Sequence, residues 1–206
     1  MIKKKGIFIS FEGIDGCGKS SIIESLLSYL DKYKIVSLRE PGGTHISEKI
    51  REMLLDVKNE AMVPRTEAFL YAAARSQVVE EIIRPALGEG AIVLADRYLD
   101  STLAYQGYGR GLDIQFLKEL NQLCTGGLMP DLTLLLDLNP EVGKKRKKKD
   151  IPDRLEKEGI SFQNKVRAGY LDLARHEPYR IKVLDAGQDF NIVLAETIKH
   201  IDALLR

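Results

Sequence analysis

The 206-residue sequence predicts an α/β protein in which a five-stranded parallel sheet is flanked by helices. Two observations support this prediction. Five short apolar segments typical of buried strands alternate with longer segments whose apolar residues recur every three or four positions, as in amphipathic helices. In addition, a glycine-rich turn joins the first apolar segment to the first helical one, as at the start of a parallel α/β unit. No internal repeat or linker interrupts the pattern, so we expect a single domain over residues 1–206.

The individual elements can be placed in order along the chain. The first strand is predicted at Gly6 to Phe11. The first helix is predicted from about Ser20 to Asp31, because its apolar residues, including Ile22, Leu26 and Leu30, fall on one face. Further strands are predicted at residues 35–38, 91–95, 132–136 and 181–184, and further helices at 46–55, 66–87, 162–176 and 192–205.

Composition narrows the possible partners and locations. There are 31 basic and 30 acidic side chains, so no overall field attracts nucleic acid or a membrane surface. No apolar stretch approaches the roughly 20 residues that span a bilayer, and the amino-terminal segment has no signal-peptide core, so a cytoplasmic protein is expected. Cys17 and Cys124 match no metal-binding spacing, and we expect them to be free thiols in a reducing compartment.

The glycine-rich turn carries the most specific motif in the sequence. Its segment GIDGCGKS fits G-x-x-x-x-G-K-[ST] and lies between a predicted strand and a predicted helix, as that motif requires. Glycines let backbone N–H groups surround phosphate oxygens, and the helix N-terminus adds partial positive charge. Lys19 would bridge the β- and γ-phosphates of ATP, and the Ser20 hydroxyl would hold Mg²⁺. The motif predicts a P-loop NTPase fold with ATP bound by Gly13, Ile14, Asp15, Gly16, Cys17, Gly18, Lys19, Ser20 and Ser21.

Two predicted strands end in an aspartate, and either Asp96 or Asp137 could be the second metal-directed group. Asp96 is followed by Arg97, which would place a carboxylate and a phosphate-binding cation together at the carboxyl end of the sheet, where ligands bind in such folds. Asp137 precedes Asn139-Pro140 and is equally typical of a turn. We therefore favour Asp96 as the metal-directed residue.

A series of short motifs extends this assignment along nearly the whole chain. They are FEGIDG at 11–16, REPGGT at 39–44, YAAAR at 71–75, DRY at 96–98 with Ser101, AYQG at 104–107, PDLT at 130–133, PEVG at 140–143 and DRLE at 153–156. In this order the motifs resemble those of the bacterial thymidylate kinases. The resemblance implies ATP- and Mg²⁺-dependent phosphorylation of dTMP to dTDP by a P-loop enzyme with a mobile lid, and it implies a homodimer.

The resemblance also implies a binding site for thymidine monophosphate. Tyr71 would stack on thymine and Arg75 would bond the base's carbonyl edge; a spacing of four puts both on one helix face. By residue type alone, a core tyrosine beside a surface arginine is the alternative. The tyrosine at 105 is expected to crowd a 2′-hydroxyl, and Asp15 is expected to help Arg97 hold the acceptor in line. The remaining implied substrate contacts are Arg51 and Arg97 on the phosphate, and Ser101, Thr102, Tyr105 and Gln106 along the base and sugar.

The basic run KKRKKK at 144–149 is open to three interpretations: a solvated helix face, a nucleic-acid patch or a lid. The resemblance implies a lid at about 141–156 that closes over ATP and excludes water. Glycine at position 16 resembles the family type whose catalytic arginine comes from the lid, which here offers Arg146 and Arg154.

Three other functions compete with this interpretation. The nearest is a kinase for another nucleoside monophosphate, such as UMP, with the same phosphate machinery. A P-loop switch protein of the GTPase type would carry an N-K-x-D segment, and the sequence has none. A nucleic-acid-binding module would use the lysine run, but the balanced charge and the lack of aromatic residues within that run count against it.

Overall fold

The computed structural model describes residues 6–147 and 153–206 and confirms the five-stranded parallel sheet. The strand order is β2-β3-β1-β4-β5, and every neighbouring pair is parallel. Lys148 and Lys149 of the basic run, and the rest of the predicted lid up to residue 152, lie outside the described residues. The strands are β1 (Ile7–Glu12), β2 (Ile35–Arg39), β3 (Ile92–Asp96), β4 (Leu132–Asp137) and β5 (Ile181–Asp185).

Helices connect and cover these strands. They are α1 (Lys19–Tyr29), α2 (His45–Leu55), α3 (Pro64–Val78), α4 (Arg84–Gly88), α5 (Leu99–Thr102), α6 (Ile114–Thr125), α7 (Pro140–Arg146), α8 (Gly159–His176) and α9 (Phe190–Leu205). Wider π-helical turns continue α3 through Val79–Ile83 into α4, and α5 through Leu103–Gly109. Within the described ranges, no helix has the length and apolar character needed to cross a membrane.

Every predicted strand and helix is present, with ends within three residues of the prediction. The predicted helix at 66–87 is one helical stretch with a π-turn inside it. Helices α5, α6 and α7 were not predicted, although α6 has readable ends: the Asp113 side chain accepts the N–H of Phe116 at 2.7 Å, and Gly126 ends the helix at φ 56°.

The sheet is buried on both faces, as parallel sheets with helices on either side are. Along β1, Phe8 packs into one apolar cluster with Val78 and Ile83, whereas Ile9 and Phe11 pack into the other. Alternation along a strand produces this division, because successive side chains point to opposite faces. Because both faces are covered, the carboxyl ends of the strands form the edge of the sheet at which a ligand can bind.

The strand register brings the carboxyl ends of β1 and β3 level with each other. Phe11 pairs with Asp96, and the N–H of Arg97 donates to the carbonyl of Phe11 at 2.9 Å. Glu12, the last residue of β1, pairs with Leu135 of β4. The glycine-rich turn after β1 and Arg97 after β3 consequently leave the sheet side by side.

Candidate active site

The turn between β1 and α1 has the backbone shape that its glycines allow. Gly13, Gly16 and Gly18 have φ angles of 136°, 76° and 97°, in a region that other residues rarely adopt. A Cβ atom on Gly13 would lie 2.5 Å from the carbonyl oxygen of Leu136, so this position also has no room for a side chain. Inside the turn, the buried Lys19 donates from Nζ to the carbonyls of Gly13 at 3.1 Å and Ile14 at 3.3 Å. The ammonium group is thereby held within the phosphate loop.

Two oxygen-bearing side chains that could bind a metal ion meet at the start of α1. The Ser20 hydroxyl donates to Oδ2 of Asp96 at 2.9 Å. Asp137 is engaged elsewhere, because Arg167 of α8 donates to both of its carboxylate oxygens at 2.6 and 2.7 Å. A hydroxyl and one carboxylate fit Mg²⁺, which is usually held by one or two protein oxygens together with substrate phosphates. The geometry therefore favours Asp96 over Asp137 as the metal-directed aspartate.

Arg97 crosses from the end of β3 to the phosphate loop. Its backbone has φ 74°, which is uncommon for a residue with a side chain. The guanidinium donates from Nη1 to the carbonyl of Gly13 and from Nη2 to Oδ1 of Asp15, both at 2.7 Å. Burial raises the pKa of Asp15, but the nearby charges of Arg97, Lys19 and Lys147 outweigh it and lower that pKa to about 2. Asp15 is therefore ionised and fixes the guanidinium beside the loop.

Two of the cavities at this edge of the sheet share part of their lining. The large cavity, of about 620 Å³, lies over the phosphate loop and extends past Arg146 to Ala186 and Phe190. The small cavity, of about 90 Å³, is lined by the predicted base- and sugar-binding residues Tyr71, Ser101, Thr102, Tyr105 and Gln106. Both cavities are lined by Asp15, Glu40, Arg51 and Arg97, which therefore lie where the two meet. Anionic groups of ligands in the two cavities would therefore meet at Arg51 and Arg97, the two cations of this set.

Arg75 lies one layer behind the small cavity rather than in its lining. It is 2% exposed and donates from Nε to Glu40 at 2.7 Å and from Nη1 to Thr102 at 2.8 Å. Further bonds go from Nη1 to Asn121 at 2.9 Å and from Nη2 to the carbonyl of Tyr98 at 3.0 Å. These bonds engage four of the five N–H groups of the guanidinium, and the Cys124 thiol lies beside it as well, so Arg75 is held within the protein interior.

Three aromatic or basic side chains shape the small cavity. The Tyr105 hydroxyl is buried and has no hydrogen-bond partner among the described residues, and its ring lies 5.1 Å from Cζ of Arg97. Tyr71 is half-buried in the lining. Arg51 reaches over from α2 and donates to the carbonyl of Pro41 at 2.9 Å. The small cavity is therefore lined by aromatic and polar side chains, with Arg51 and Arg97 as its cations where it meets the large cavity.

The two predicted lid arginines occupy different environments. Arg154 is 5% exposed and pairs with Glu67 of α3 at 2.6 Å, and its Nε donates to the carbonyl of Leu54 at 2.9 Å. It does not line either cavity described above. Arg146 lines the large cavity and donates to the carbonyl of Ala186 at 3.1 Å. The structure therefore brings Arg146, but not Arg154, to the nucleotide side of the site.

Lys147 is a site residue that the sequence interpretation missed. It lines the large cavity, forms an ion pair with Glu156, and its charge contributes to the low pKa of Asp15. Nothing in the sequence distinguishes it from the other lysines of the basic run. Its position is fixed by α7, whose Gly143 packs directly on the phosphate loop.

This contact also explains why position 16 carries no side chain. A Cβ atom on Gly16 would lie 2.5 Å from the carbonyl oxygen of Gly143, and a Cβ atom on Gly143 would lie 2.6 Å from the carbonyl oxygen of Asp15. An arginine at position 16 would therefore require α7 to move away from the loop. A cationic side chain can therefore approach the loop from α7 or from position 16, but not from both, because the backbones of Gly16 and Gly143 are in contact.

The sheet order, the phosphate loop and the paired cavities define a P-loop nucleotide-binding phosphotransferase. The family model described as thymidylate kinase matches residues 11–197, and the chain belongs to this family. Two curated relatives, both named thymidylate kinase, come from Desulforudis audaxviator (48% identical, covering 98% of this chain and 92% of the relative) and Thermoanaerobacter sp. (51% identical, 90% and 92%). The crystal structure of thymidylate kinase from Ehrlichia chaffeensis is similar, with a TM-score of 0.80 and 33% identity over 96% of this chain and 99% of that chain.

Proposed function

We propose that this protein transfers the γ-phosphoryl group of ATP to dTMP, giving dTDP and ADP. The observation that carries the proposal is that the two cavities meet at Arg97 and Asp15. Membership of the thymidylate kinase family supports the choice of substrates. Phosphoryl transfer requires alignment of donor and acceptor more than covalent catalysis, and a shared boundary between the two cavities supplies that alignment.

The donor phosphates would lie against the backbone N–H groups of the loop and Lys19. Buried at 6% exposure, the Lys19 ammonium can exchange its bonds with loop carbonyls for bonds with the β- and γ-phosphate oxygens. Ser20 and Asp96 would hold Mg²⁺, which supplies positive charge to the phosphates when bound. The part of the large cavity lined by Ala186 and Phe190 would take the nucleoside of ATP.

The acceptor phosphate would be held by Arg51 and Arg97 at the boundary between the cavities. Asp15 fixes the direction of the Arg97 guanidinium, which can then contact two phosphate oxygens at once. No separate general base is required, because the attacking group is already a phosphate oxygen. In this role Asp15 and Arg97 would influence both the donor and the acceptor phosphates.

Thymine would stack on Tyr71 beside Thr102 and Gln106. Arg75 would support the base site from behind, through its bonds to Glu40 and Thr102, which line the small cavity. The buried Tyr105 side chain would lie beside the sugar and crowd a 2′-hydroxyl. These contacts support a deoxythymidine ligand over a ribonucleotide.

The lid would supply its catalytic charge through Arg146 or Lys147, both of which line the large cavity. Arg154 would anchor the carboxyl side of the lid through its buried pair with Glu67. This assignment keeps the lid as the source of the catalytic cation and gives the two arginines different roles.

We also propose that the protein is a cytoplasmic homodimer. Neighbouring helices α3 and α6 expose Phe69 (48%) and Leu123 (80%), and Val63 (57%) lies just before α3. Exposed apolar side chains on two adjacent helices are typical of a surface that a partner covers. Both cysteines are free thiols, which a reducing compartment maintains. Light scattering should give twice the 23.1 kDa chain mass, and Phe69→Glu should shift the protein toward monomer.

The activity is tested by measuring ADP release from ATP and Mg²⁺ with a panel of monophosphates. We expect rapid turnover with dTMP and at least about tenfold slower turnover with UMP, AMP and CMP, because the base-binding wall and Tyr105 select deoxythymidine. Turnover with UMP and none with dTMP would overturn the substrate assignment and retain the kinase. Slow hydrolysis without transfer to any acceptor would instead favour a switch protein.

A further inference from the structure

The carboxyl group of Glu12 is fully buried at the end of β1 and accepts hydrogen bonds from three donors. Its Oε1 accepts the backbone N–H of Tyr98 at 2.8 Å. Its Oε2 accepts the hydroxyl groups of Ser101 at 2.6 Å and Tyr170 at 2.8 Å. Glu12 lines neither the large nor the small cavity, so it cannot reach a nucleotide in either one.

The same two hydroxyl groups face Arg97. Nη1 of Arg97 lies 3.2 Å from the Tyr170 oxygen and 3.4 Å from the Ser101 oxygen. A hydroxyl has one hydrogen, so a hydroxyl that donates to Glu12 can offer Arg97 only its lone pairs. The two hydroxyl oxygens are also 2.7 Å apart, so one of them can donate to the other instead of to Glu12. With an ionised Glu12, both hydroxyl hydrogens are used within this group of three side chains in either arrangement, and both oxygens present lone pairs to the guanidinium. The third bond, to Tyr98, holds the backbone directly after the left-handed conformation of Arg97.

We propose that Glu12 is a positioning residue for phosphoryl transfer: its carboxylate orients Ser101, Tyr170 and the Tyr98 backbone so that Arg97 faces the phosphates. The proposal rests on the phosphoryl-transfer function proposed above. It adds a residue that acts on the transferred group only through Arg97. Asp15 contacts the guanidinium directly, at 2.7 Å, on the side of the phosphate loop. Glu12 acts on the opposite side, through the Tyr170 hydroxyl that lies 3.2 Å from Nη1.

Carboxylate chemistry is specifically required at this position. All three groups that contact Glu12 are donors, and a carboxylate accepts through both of its oxygens. A glutamine of the same shape has one accepting oxygen and one NH₂ group, which is a donor. Either the Tyr98 N–H or the two hydroxyls would then face another donor, so the hydroxyls would turn or the backbone after Arg97 would shift.

Burial places the pKa of Glu12 in an accessible pH range. Burial, and secondarily the negative charge of Asp100, raise the pKa of Glu12 to about 7, while Arg97 and the bonds from Ser101 and Tyr170 act in the opposite direction. Arg180 limits the effect of Asp100 by donating to both of its carboxylate oxygens at 2.7 and 2.8 Å. As pH falls through about 7, Glu12 takes up a proton and the charge behind Arg97 is lost.

The experiment compares wild type with Glu12→Gln, Tyr170→Phe and the matched control Glu119→Gln, which changes an exposed acid on α6. We expect Glu12→Gln to lower kcat with dTMP by about tenfold to a hundredfold, because a displaced guanidinium no longer matches the reacting phosphates. Affinity for dTMP should fall, while affinity for ATP, measured by calorimetry, should stay within about threefold. Tyr170→Phe removes one hydroxyl and keeps the carboxylate, so a severalfold loss is expected even if Glu12→Gln folds poorly.

The pH profile separates positioning from a purely structural role. Wild-type kcat should rise with pH through an apparent pKa near 7, and this rise should be reduced in Glu12→Gln. The nucleotide phosphates also ionise near pH 6, but they do so equally in every variant, so the difference between profiles reports Glu12. Glu119→Gln should reproduce the wild-type profile.

Two results would overturn the inference. One is a Glu12→Gln protein with a lower melting temperature but a wild-type kcat per folded molecule and an unchanged pH profile. The other is a Tyr170→Phe protein that is unaltered in kcat and in dTMP affinity. Failure of the wild type to phosphorylate dTMP in the same assay would count against the proposed function itself, so the two failures are distinguishable.

Discussion

The large and small cavities differ in how far apart in sequence their lining residues are. The part of the large cavity that would hold the donor phosphates is formed mainly by one continuous segment, residues 15–22, at the start of α1. The small cavity is assembled from residues far apart in sequence, which α2, α3, the turn after α5 and residues 153–155 bring together. One is defined by local backbone conformation, and the other by long-range packing.

This difference implies different consequences of substitution. The phosphate loop binds through backbone groups and one ammonium, so changing a side chain there should alter chemistry with little effect on folding. Side chains behind the small cavity are buried ion pairs, namely Arg75 with Glu40 and Arg154 with Glu67. Breaking a buried pair leaves an uncompensated charge, so changes there should affect stability as well as binding.

The largest expected effect is that of Lys19→Ala. Turnover should fall by about 10³ or more, because the charge that stabilises the migrating phosphoryl group is lost from a water-poor site. The melting temperature should change by only a few degrees. The control is Lys34→Ala, which removes a lysine from an exposed ion pair with Glu89. Turnover of Lys19→Ala within about tenfold of wild type would contradict the assigned role.

Arg75→Ala should affect both stability and substrate binding. Removing the guanidinium leaves Glu40 buried without its partner, which should lower the free energy of unfolding by about 3–5 kcal/mol in urea titrations. Loss of the charged donor that holds Thr102 and Glu40 in the wall of the small cavity should weaken dTMP binding about ten- to a hundredfold, with a much smaller change for ATP. Arg84→Ala breaks the exposed pair with Glu80 and should cost less than about 1 kcal/mol. Equal losses of affinity for both nucleotides would mean that the base site is misplaced.

Substitutions of the lid cations should differ in whether they affect stability or the chemical step. Arg154→Ala should lower the free energy of unfolding by an amount near the lower end of about 3–5 kcal/mol, because Arg110 still contacts Glu67. Its single-turnover rate per folded molecule should stay near normal. Arg146→Ala or Lys147→Ala should slow the chemical step and leave stability nearly intact. A normal chemical rate in the Arg146→Ala, Lys147→Ala double variant would exclude both as the catalytic cation.

The smallest effect concerns the acid stability of the phosphate loop. Since the pKa of Asp15 in the folded protein, about 2, is below its ordinary value of 3.8, ionised Asp15 stabilises the fold above about pH 4. This contribution is lost as pH falls from there through about 2. Urea denaturation should therefore show a difference between wild type and Asp15→Asn that is constant near neutral pH and decreases below pH 4. A difference that grows on acidification would contradict the assigned pairing with Arg97.

The sequence predicted the strand–turn–helix unit at the phosphate loop because its signals are local. Apolar periodicity located β1 and α1, and the glycine and lysine spacing located the loop between them. Helix α6 was missed although Asp113 and Gly126 mark its ends, so a capping signal was present and unused. The π-turn at 103–109 has no such signal, because its geometry depends on packing against α8.

In the candidate site, motif and position in the sequence by themselves predicted Lys19 and Arg97 as the cations for phosphate, with Asp15 beside them in the loop. Only the tertiary structure decided which cations face the cavities. Arg154 turns inward because Glu67 offers a buried partner, and Lys147 faces the site because α7 rests on the phosphate loop. Local sequence sets backbone conformation and residue chemistry, whereas the direction of a long charged side chain depends on the partners that folding brings to it from distant parts of the chain.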